Sequence, residues 1–176
     1  MIFHKTKLEK AYVLELEKRG DERGFFARTF CANEFAEHGL NTNFVQTNMS
    51  RSTQKGILRG MHFQIDGAEE SKLIRVTKGK ILDVIIDIRK DSPTYCEHIA
   101  IELSDENHKM LYVPEGFAHG FLTLTEIVEV NYQVSAFYTP GKEKGIRWND
   151  PLFNIDWGIE NPLLSEKDAV HPDFMK

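Results

Sequence analysis

Short runs of alternating apolar and polar residues, most of them bounded by glycine or proline, constrain the fold of this chain more than any other feature. Alternation with a period of two is typical of a β-strand that buries one face. It predicts strands at residues 11–17, 25–30, 44–50, 57–64, 72–77, 80–89, 97–103, 111–113, 117–121 and 126–138. Only two short helices are expected, at 33–38 and after the capping sequence that starts at Ser165. This pattern predicts an all-β sandwich or barrel.

The predicted strand at 57–64 says most about a possible functional site, because its two faces carry different kinds of side chain. Regular alternation places His62 on one face, beside Gln64 and the small Gly60, and Arg59 on the opposite face. A histidine and an amide next to a glycine leave space for a ligand. A histidine satisfied within the core fits the same pattern, so this segment alone leaves both interpretations open.

A second polar row lies on the predicted strand at 44–50. Gln46, Asn48 and Ser50 occupy alternate positions and therefore share one face. Inside a barrel these side chains must form hydrogen bonds with a ligand or with one another, because buried polar groups are hydrogen-bonded. A row that faces solvent is the alternative.

Lys72 and Asp83 lie on otherwise apolar faces of two strands that we expect to pair as a hairpin across Gly79. A buried charge requires a partner or a shifted pKa. Three interpretations are open: the two residues belong to a functional site, they pair with each other, or they lie exposed at the rim of the sheet.

Length and charge limit the functional classes. With 176 residues, the chain is expected to form one domain, residues 1–176. The net charge of -5 argues against binding to nucleic acid or to anionic membranes. Cys31 and Cys96 lie far apart, and the N-terminal residues lack the apolar core of a signal peptide. We therefore expect a cytoplasmic protein with reduced thiols.

Several kinds of catalytic chemistry lack their sequence signatures. Gln64 stands where a second metal ligand would share the face of His62, so a catalytic metal is not expected. The Gly-x-Ser-x-Gly elbow and the glycine-rich phosphate loops are also absent. Acid–base chemistry remains, with His62 as a base, Tyr132 as a proton donor and Lys72 as a cation that stabilises an enolate. These three groups suit proton transfer at a carbon next to a ketone.

Motifs spread over nearly the whole chain resemble the dTDP-4-dehydrorhamnose 3,5-epimerase family. They lie at residues 21–26, 46–50, 58–64, 72–73, 83–84, 92–94, 114–121, 132, 148–151 and 164–168. Each motif is weak alone, but their order and spacing together are specific. The resemblance implies a cupin-type jelly-roll β-barrel with a few short helices. It also implies an enzyme that uses no metal or cofactor and forms a homodimer, in which the N-terminal strand commonly contributes to the partner's site.

The resemblance further implies a role for each matching residue. His62 would be the general base, held by Asp168, while Tyr132 would be the general acid on the opposite side of the sugar. Lys72 would stabilise the enolate at O4. The positions that bind the nucleotide sugar match Arg23, Gln46, Asn48, Arg59, His119, Glu143 and Lys167. Those that flank the base match Phe26 and Tyr138.

The implied reaction is epimerisation of a nucleoside-diphosphate 4-keto-6-deoxyhexose at C3 and C5. Its most direct form converts dTDP-4-dehydro-6-deoxyglucose to dTDP-4-dehydrorhamnose, a step of dTDP-rhamnose and hence polysaccharide biosynthesis. The two carbons are acidified because both are next to the 4-keto group.

Three positions depart from the family pattern. Arg28 stands where glutamate is usual at a nucleotide contact, Glu70 replaces a glutamine, and Cys96 replaces a glycine. A reversed charge at a ligand position needs its own partner. Arg28 therefore suggests a relative that acts on a CDP- or GDP-linked 4-keto-deoxy sugar, or one that epimerises a single carbon.

Two further classes compete with the epimerase. A non-catalytic cupin that binds nucleotide sugars would not require a base, an acid and an enolate-stabilising cation together. A 3,4-ketoisomerase uses a similar barrel, but such relatives generally lack the combination of His62, Lys72 and Tyr132. The epimerase is the interpretation that uses all three.

Overall fold

A computed structural model describes all 176 residues of the chain. It contains thirteen strands and two short helices. In chain order these are β1 (Ile2–Lys5), β2 (Tyr12–Glu15), β3 (Arg19–Asp21), β4 (Gly24–Phe26), α1 (Ala32–Glu37), β5 (Gln46–Ser52), β6 (Leu58–Gln64), β7 (Lys72–Lys78), β8 (Lys80–Asp87), β9 (His98–Ser104), β10 (Met110–Val113), β11 (Phe117–Thr123), β12 (Val128–Val134), β13 (Glu143–Gly145) and α2 (Glu166–Ala169). The prediction of an all-β fold is confirmed.

The strands form two large antiparallel sheets and one small ribbon. The six-stranded sheet has the order β1-β2-β10-β7-β12-β5, and the five-stranded sheet has the order β13-β6-β11-β8-β9. Strands β3 and β4 pair only with each other. Neighbours within each large sheet are mostly far apart in sequence, so the barrel is built from long-range pairings.

An apolar core lies between the two sheets, and both sheets contribute alternate residues to it. Ile74 and Val130 come from the six-stranded sheet, while Ile85 and Phe117 come from the five-stranded sheet. Ile74 and Ile85 are fully buried. Burying one such side chain stabilises the fold by about 1.5–3 kcal/mol, so this core holds the sheets face to face.

The outer faces of both sheets are covered by the less regular parts of the chain. Phe35 of α1 packs with Leu73 and Tyr112, which alternate with core residues on β7 and β10. On the other sheet, Phe153 and Trp157 from the C-terminal tail pack with residues of β6, β8 and β11. The tail is therefore an integral part of the barrel wall.

Strands β7 and β8 do not form the hairpin that their sequence suggested. Strand β7 pairs with β10 and β12, whereas β8 pairs with β9 and β11 in the other sheet. Gly79 between them has a φ of +74°, and a Cβ there would lie 2.2 Å from the carbonyl oxygen of Ile127. The chain thus turns a corner at this glycine and changes sheet, which alternation cannot reveal.

Some element boundaries also differ from those predicted. The expected strand at 25–30 is replaced by the short β3–β4 ribbon, and β12 ends at Val134 instead of continuing to residue 138. Helix α1 begins after Cys31, which makes no side-chain capping hydrogen bond, so Asn33 is not the cap. The cap of α2 was predicted correctly, since Ser165 accepts a hydrogen bond from the Asp168 backbone N–H. Neither helix has the length and apolar character needed to cross a membrane.

The turn at residues 92–94 is held by a buried carboxylate. Asp87 is fully buried at the end of β8 and accepts hydrogen bonds from Arg89 (2.8 and 2.7 Å), Ser92 (2.5 Å) and Thr94 (2.7 Å). Burial opposes ionisation of Asp87, yet the hydrogen bonds outweigh it and hold the pKa of Asp87 below its ordinary value. The Ser-Pro-Thr motif therefore has a structural role at this position.

We expect Asp87→Asn to lower the free energy of unfolding by about 2–3 kcal/mol, because it breaks a buried charge-assisted network. Urea denaturation of both proteins at neutral pH measures this difference. Because folding depresses the pKa of Asp87, the difference should shrink as the pH falls below about 3.9, the unfolded value. Asp91→Asn, on the exposed part of the same loop, is the matched control and should leave stability nearly unchanged.

Candidate active site

A β-bulge in β6 brings Arg59 and His62 to the same side of the strand. On β11, Phe121 pairs with Arg59 and His119 pairs with His62, so three residue steps on β6 oppose two on β11. The extra residue changes the alternation. The prediction that Arg59 and His62 lie on opposite faces was wrong, because both line one cavity.

Two adjoining cavities open between the sheets and share His62, Lys72 and Tyr132. The first, of about 750 Å³, is also lined by Gln46, Asn48, Phe63, Gln64, Glu70, Val134, Tyr138 and Glu143. The second, of about 790 Å³, is also lined by Ser50, Arg59, His119, Phe121, Ser165, Lys167 and Asp168. The polar end of the barrel is therefore one continuous site centred on three shared side chains.

His62 is paired with Asp168, which reaches it from α2. The two side chains approach to 2.6 Å between Nε2 and Oδ1, with the histidine 30% exposed and the carboxylate 6% exposed. Burial opposes ionisation of Asp168, but hydrogen bonding and charge attraction from His62, with hydrogen bonds from Ser165 and the Gly60 backbone, lower its pKa. Asp168 is thus a buried anion aimed at the histidine.

Lys72 and Tyr132 approach the same space from the six-stranded sheet. Lys72 is buried and its Nζ lies 3.2 Å from Oε1 of Glu70, so it is not paired with Asp83. Burial raises the pKa of the Tyr132 hydroxyl, and the negative charge of Glu70 raises it further. Tyr132 therefore keeps its proton over a wide pH range.

Asp83 instead pairs with His119 across β8 and β11. The Nε2 of His119 lies 2.5 Å from Oδ1 of the fully buried Asp83. Lys167 is hydrogen-bonded to Glu143 at the mouth of the site. Arg59 forms no salt bridge and has only the Ser52 hydroxyl at 3.5 Å. It is the cation of the cavity that has no carboxylate partner.

The polar row on β5 faces the cavity and not bulk solvent. Gln46 and Asn48 line the first cavity and Ser50 lines the second, whereas the intervening Thr47 and Met49 are exposed. The solvent-facing alternative is therefore wrong. Gln46 also accepts a hydrogen bond from the Tyr138 backbone, which ties β5 to the loop between β12 and β13.

Gln64 and His62 are both engaged in hydrogen bonds within the chain. The amide of Gln64 donates to Ala68 O and Glu70 and accepts from the Thr139 backbone, so it links two loops. His62, Asp168 and His171 place their ligand atoms within 4.8 Å of one another. The 2.6 Å between His62 and Asp168 is shorter than the about 3.3 Å that separates ligands around tetrahedral zinc.

Three predicted binding residues lie away from both cavities. Arg23 is 85% exposed and pairs with Asp21, and Phe26 is 72% exposed. Arg28 pairs with Glu34 at 2.8 Å and, with Phe26, lines a separate cavity near the N-terminus. The reversed charge at position 28 thus has a partner within the same chain.

His171 lies behind the His62–Asp168 pair, a position that no sequence motif had indicated. Its Nε2 is 3.3 Å from Oδ1 of Asp168, three residues earlier in the chain. The Asp-x-x-His spacing at the end of the capped helix was a usable signal, but only the path of the tail makes it meaningful. The remaining predicted residues are brought together around His62.

Comparisons with known proteins identify a family for this chain. The family described as dTDP-4-dehydrorhamnose 3,5-epimerase matches residues 5–176. The chain belongs to this family. The dTDP-4-dehydrorhamnose 3,5-epimerase of Methanothermobacter thermautotrophicus is 47% identical over 169 residues, covering 94% of this chain and 90% of that protein.

Two solved structures share the fold. The dTDP-4-dehydrorhamnose 3,5-epimerase of Elizabethkingia anophelis has a TM-score of 0.96 and 40% identity, over 99% of this chain and 96% of that one. The Legionella pneumophila dTDP-6-deoxy-D-glucose-3,5-epimerase, in complex with dTDP-4-keto-L-rhamnose, has a TM-score of 0.91 and 39% identity, over 98% and 92% of the chains. The cupin-type jelly roll is confirmed, and the chain is an isomerase of the epimerase family.

These relatives support the dTDP-linked interpretation and not the CDP- or GDP-linked alternative. Arg28 forms an ion pair with Glu34, and its departure from the family pattern gives no support for a different nucleotide.

We expect Glu70→Gln to move the high-pH limb of the kcat profile to lower pH, because it removes a charge that raises the pKa of Tyr132. If Tyr132 acts as an acid, its deprotonation ends activity, so the limb reports this pKa. Initial rates measured across the alkaline range test the shift. Glu69→Gln, at the neighbouring position, is the control; equal profiles for wild type and Glu70→Gln would contradict the assignment.

Proposed function

We propose that this protein converts dTDP-4-dehydro-6-deoxyglucose to dTDP-4-dehydrorhamnose by epimerisation at C3 and C5. The observation that carries the proposal is the convergence of the His62–Asp168 pair, Lys72 and Tyr132 on one cavity. Family membership and a neighbour whose structure contains dTDP-4-keto-L-rhamnose support this choice of substrate. No metal or cofactor is part of the proposed mechanism.

His62 is the general base. Its Nε2 carries the proton that is hydrogen-bonded to Asp168, so the lone pair available to a substrate is on Nδ1. The carboxylate holds the imidazole in this orientation and stabilises the imidazolium that forms when a proton is taken from C3 or C5. A 4-keto group makes these protons acidic because the resulting negative charge moves to O4.

Lys72 stabilises the enolate oxygen, with Arg59 as a further donor in the same cavity, which His119 also lines. Lys72 is buried beside Glu70, so its ammonium is held in place before the reaction begins. Arg59 lacks a carboxylate partner and is available to an anion. The cationic groups therefore lie where negative charge develops.

Tyr132 is the general acid that returns a proton to the opposite side of the sugar. It projects from β12 in the six-stranded sheet, while His62 projects from β6 in the facing sheet. A base on one side of a planar enolate and an acid on the other side invert the configuration of the carbon. Protons exchanged with solvent restore both groups before the second carbon reacts.

The nucleotide diphosphate is bound at the mouth of the site. Gln46 and Asn48 supply polar contacts, and Lys167 supplies positive charge beside Glu143. Tyr138, which is 60% exposed at the edge of the first cavity, offers an aromatic face for the base. This arrangement is compatible with a chain of net charge -5, because the positive charge is local.

Arg23, Phe26 and Arg28 are assigned to a composite site in a homodimer. The β3–β4 ribbon that carries or adjoins them pairs with no other strand, and Phe25 and Phe26 are 49% and 72% exposed. Exposed neighbouring aromatic residues favour an interaction surface. In the proposed dimer, the ribbon of one protomer extends the cavity of its partner. The proposal places the enzyme in the cytoplasm, in the biosynthesis of dTDP-rhamnose and hence of polysaccharide.

We expect His62→Ala to reduce turnover by about 10²–10⁴-fold, the usual contribution of a general base, without unfolding the barrel. Incubating the sugar nucleotide in D₂O and following deuterium at C3 and C5 by NMR measures each proton transfer separately. Exchange at only one carbon would identify a mono-epimerase. His4→Ala, on an exposed side chain, is the control, and unchanged exchange in His62→Ala would refute the base assignment.

The composite site predicts complementation between two inactive variants. Arg23→Ala and His62→Ala, co-expressed with different tags and purified as the mixed dimer, should form one intact site and recover activity that neither parent has. The parents separately are the controls. A mixed dimer as inactive as its parents would place Arg23 and His62 of one protomer in the same site, or remove Arg23 from the site.

A further inference from the structure

His171 contacts the catalytic pair from the C-terminal tail. Its imidazole is 10% exposed, and its ring meets that of His62 edge-on, with 5.5 Å between centroids. The Nε2 of His171 lies 3.3 Å from the same Asp168 oxygen that binds His62. One carboxylate oxygen therefore lies between two histidines.

The Nε2 of His171 is buried and has no aligned hydrogen-bond partner. A buried polar atom without a partner is unusual in a folded protein and requires an explanation. The Asp168 oxygen is near enough for a hydrogen bond, but the contact is poorly aligned.

The backbone provides a fitted space for this ring. Gly145, which pairs with His62 across β13 and β6, would place a Cβ 2.3 Å from atoms of the His171 ring. Any side chain at position 145 would therefore displace the imidazole. The absence of a side chain there lets His171 lie directly against the strand that carries the base.

The segment that follows is anchored at several points. The Arg147 backbone donates to Pro172 O at 2.8 Å, the Arg147 side chain pairs with Asp173, and the Phe174 backbone donates to Asp150. These contacts restrict the chain on the C-terminal side of His171, while α2 restricts it on the other side. The imidazole is thus held from both directions.

His171 remains uncharged near neutral pH. Burial lowers its pKa, and repulsion from His62 and Lys167 lowers it further, against the attraction of Asp168. A neutral imidazole can hydrogen-bond Asp168 without neutralising it. Asp168 therefore stays negatively charged, and this charge can stabilise His62 when it takes up a proton.

We infer that His171 is a positioning residue, which donates a hydrogen bond to Asp168 and fixes the carboxylate that orients His62. The expected effect on kcat rests on the proposed function, whereas the hydrogen bond itself belongs to the protein without substrate. His171 touches no reacting atom. It acts through Asp168 in a His62–Asp168–His171 arrangement.

Two substitutions separate hydrogen bonding from simple packing. His171→Phe fills the space but has no donor, and it should lower kcat about tenfold, as expected for one hydrogen bond to a charged group, with KM nearly unchanged. His171→Gln keeps an N–H donor and should retain most of the activity. Val170→Gln, at the exposed neighbouring position, is the control.

A spectroscopic measurement makes the test independent of turnover. In ¹⁵N-labelled protein without substrate, the His62 Nε2–H signal should be sharp in wild type and His171→Gln, and broadened by faster solvent exchange in His171→Phe. A wild-type signal and kcat in His171→Phe would overturn the inference, as would equal losses in the Phe and Gln variants. If the wild type epimerises no sugar, the NMR comparison still decides the role of His171.

Discussion

The hydrogen bond between His62 and Asp168 joins parts of the chain separated by 106 residues, and the arrangement of the site depends on it. The tail that carries Asp168 is aligned beside the start of β6 by backbone hydrogen bonds of Leu163 with Gly56 (2.8 Å) and Leu58 (2.9 Å). The base is therefore oriented only when the tail has docked on the barrel. Completion of the fold and orientation of His62 are a single structural event.

The barrel interior is divided between an apolar end and a charged end. In the charged end, ionisable side chains are placed in pairs: His62 with Asp168, His119 with Asp83, and Lys72 with Glu70. Pairing is what makes such burial tolerable, because isolated ions would be strongly destabilised. The same pairs orient the groups before a substrate arrives, so structural and chemical requirements coincide.

Much of the site could be predicted from the sequence, because side chains on a β-strand that face the same cavity recur at every second residue. The row that includes Gln46 and the inward positions of Lys72 and Tyr132 follow that rule. Pairing between strands does not, which is why the β7–β8 hairpin was wrong. His171 was missed because its position depends on the irregular path of the tail.

The bulge in β6 has a consequence for comparing and engineering such barrels. Arg59 and His62 share a cavity because of one additional residue between them, not because of their spacing in a regular strand. A regular strand of the same length would keep every side chain of the site in the written sequence while turning Arg59 or His62 outward. The bulge is therefore a better indicator of an intact site than the count of matching residues, and redesigned pockets should keep it.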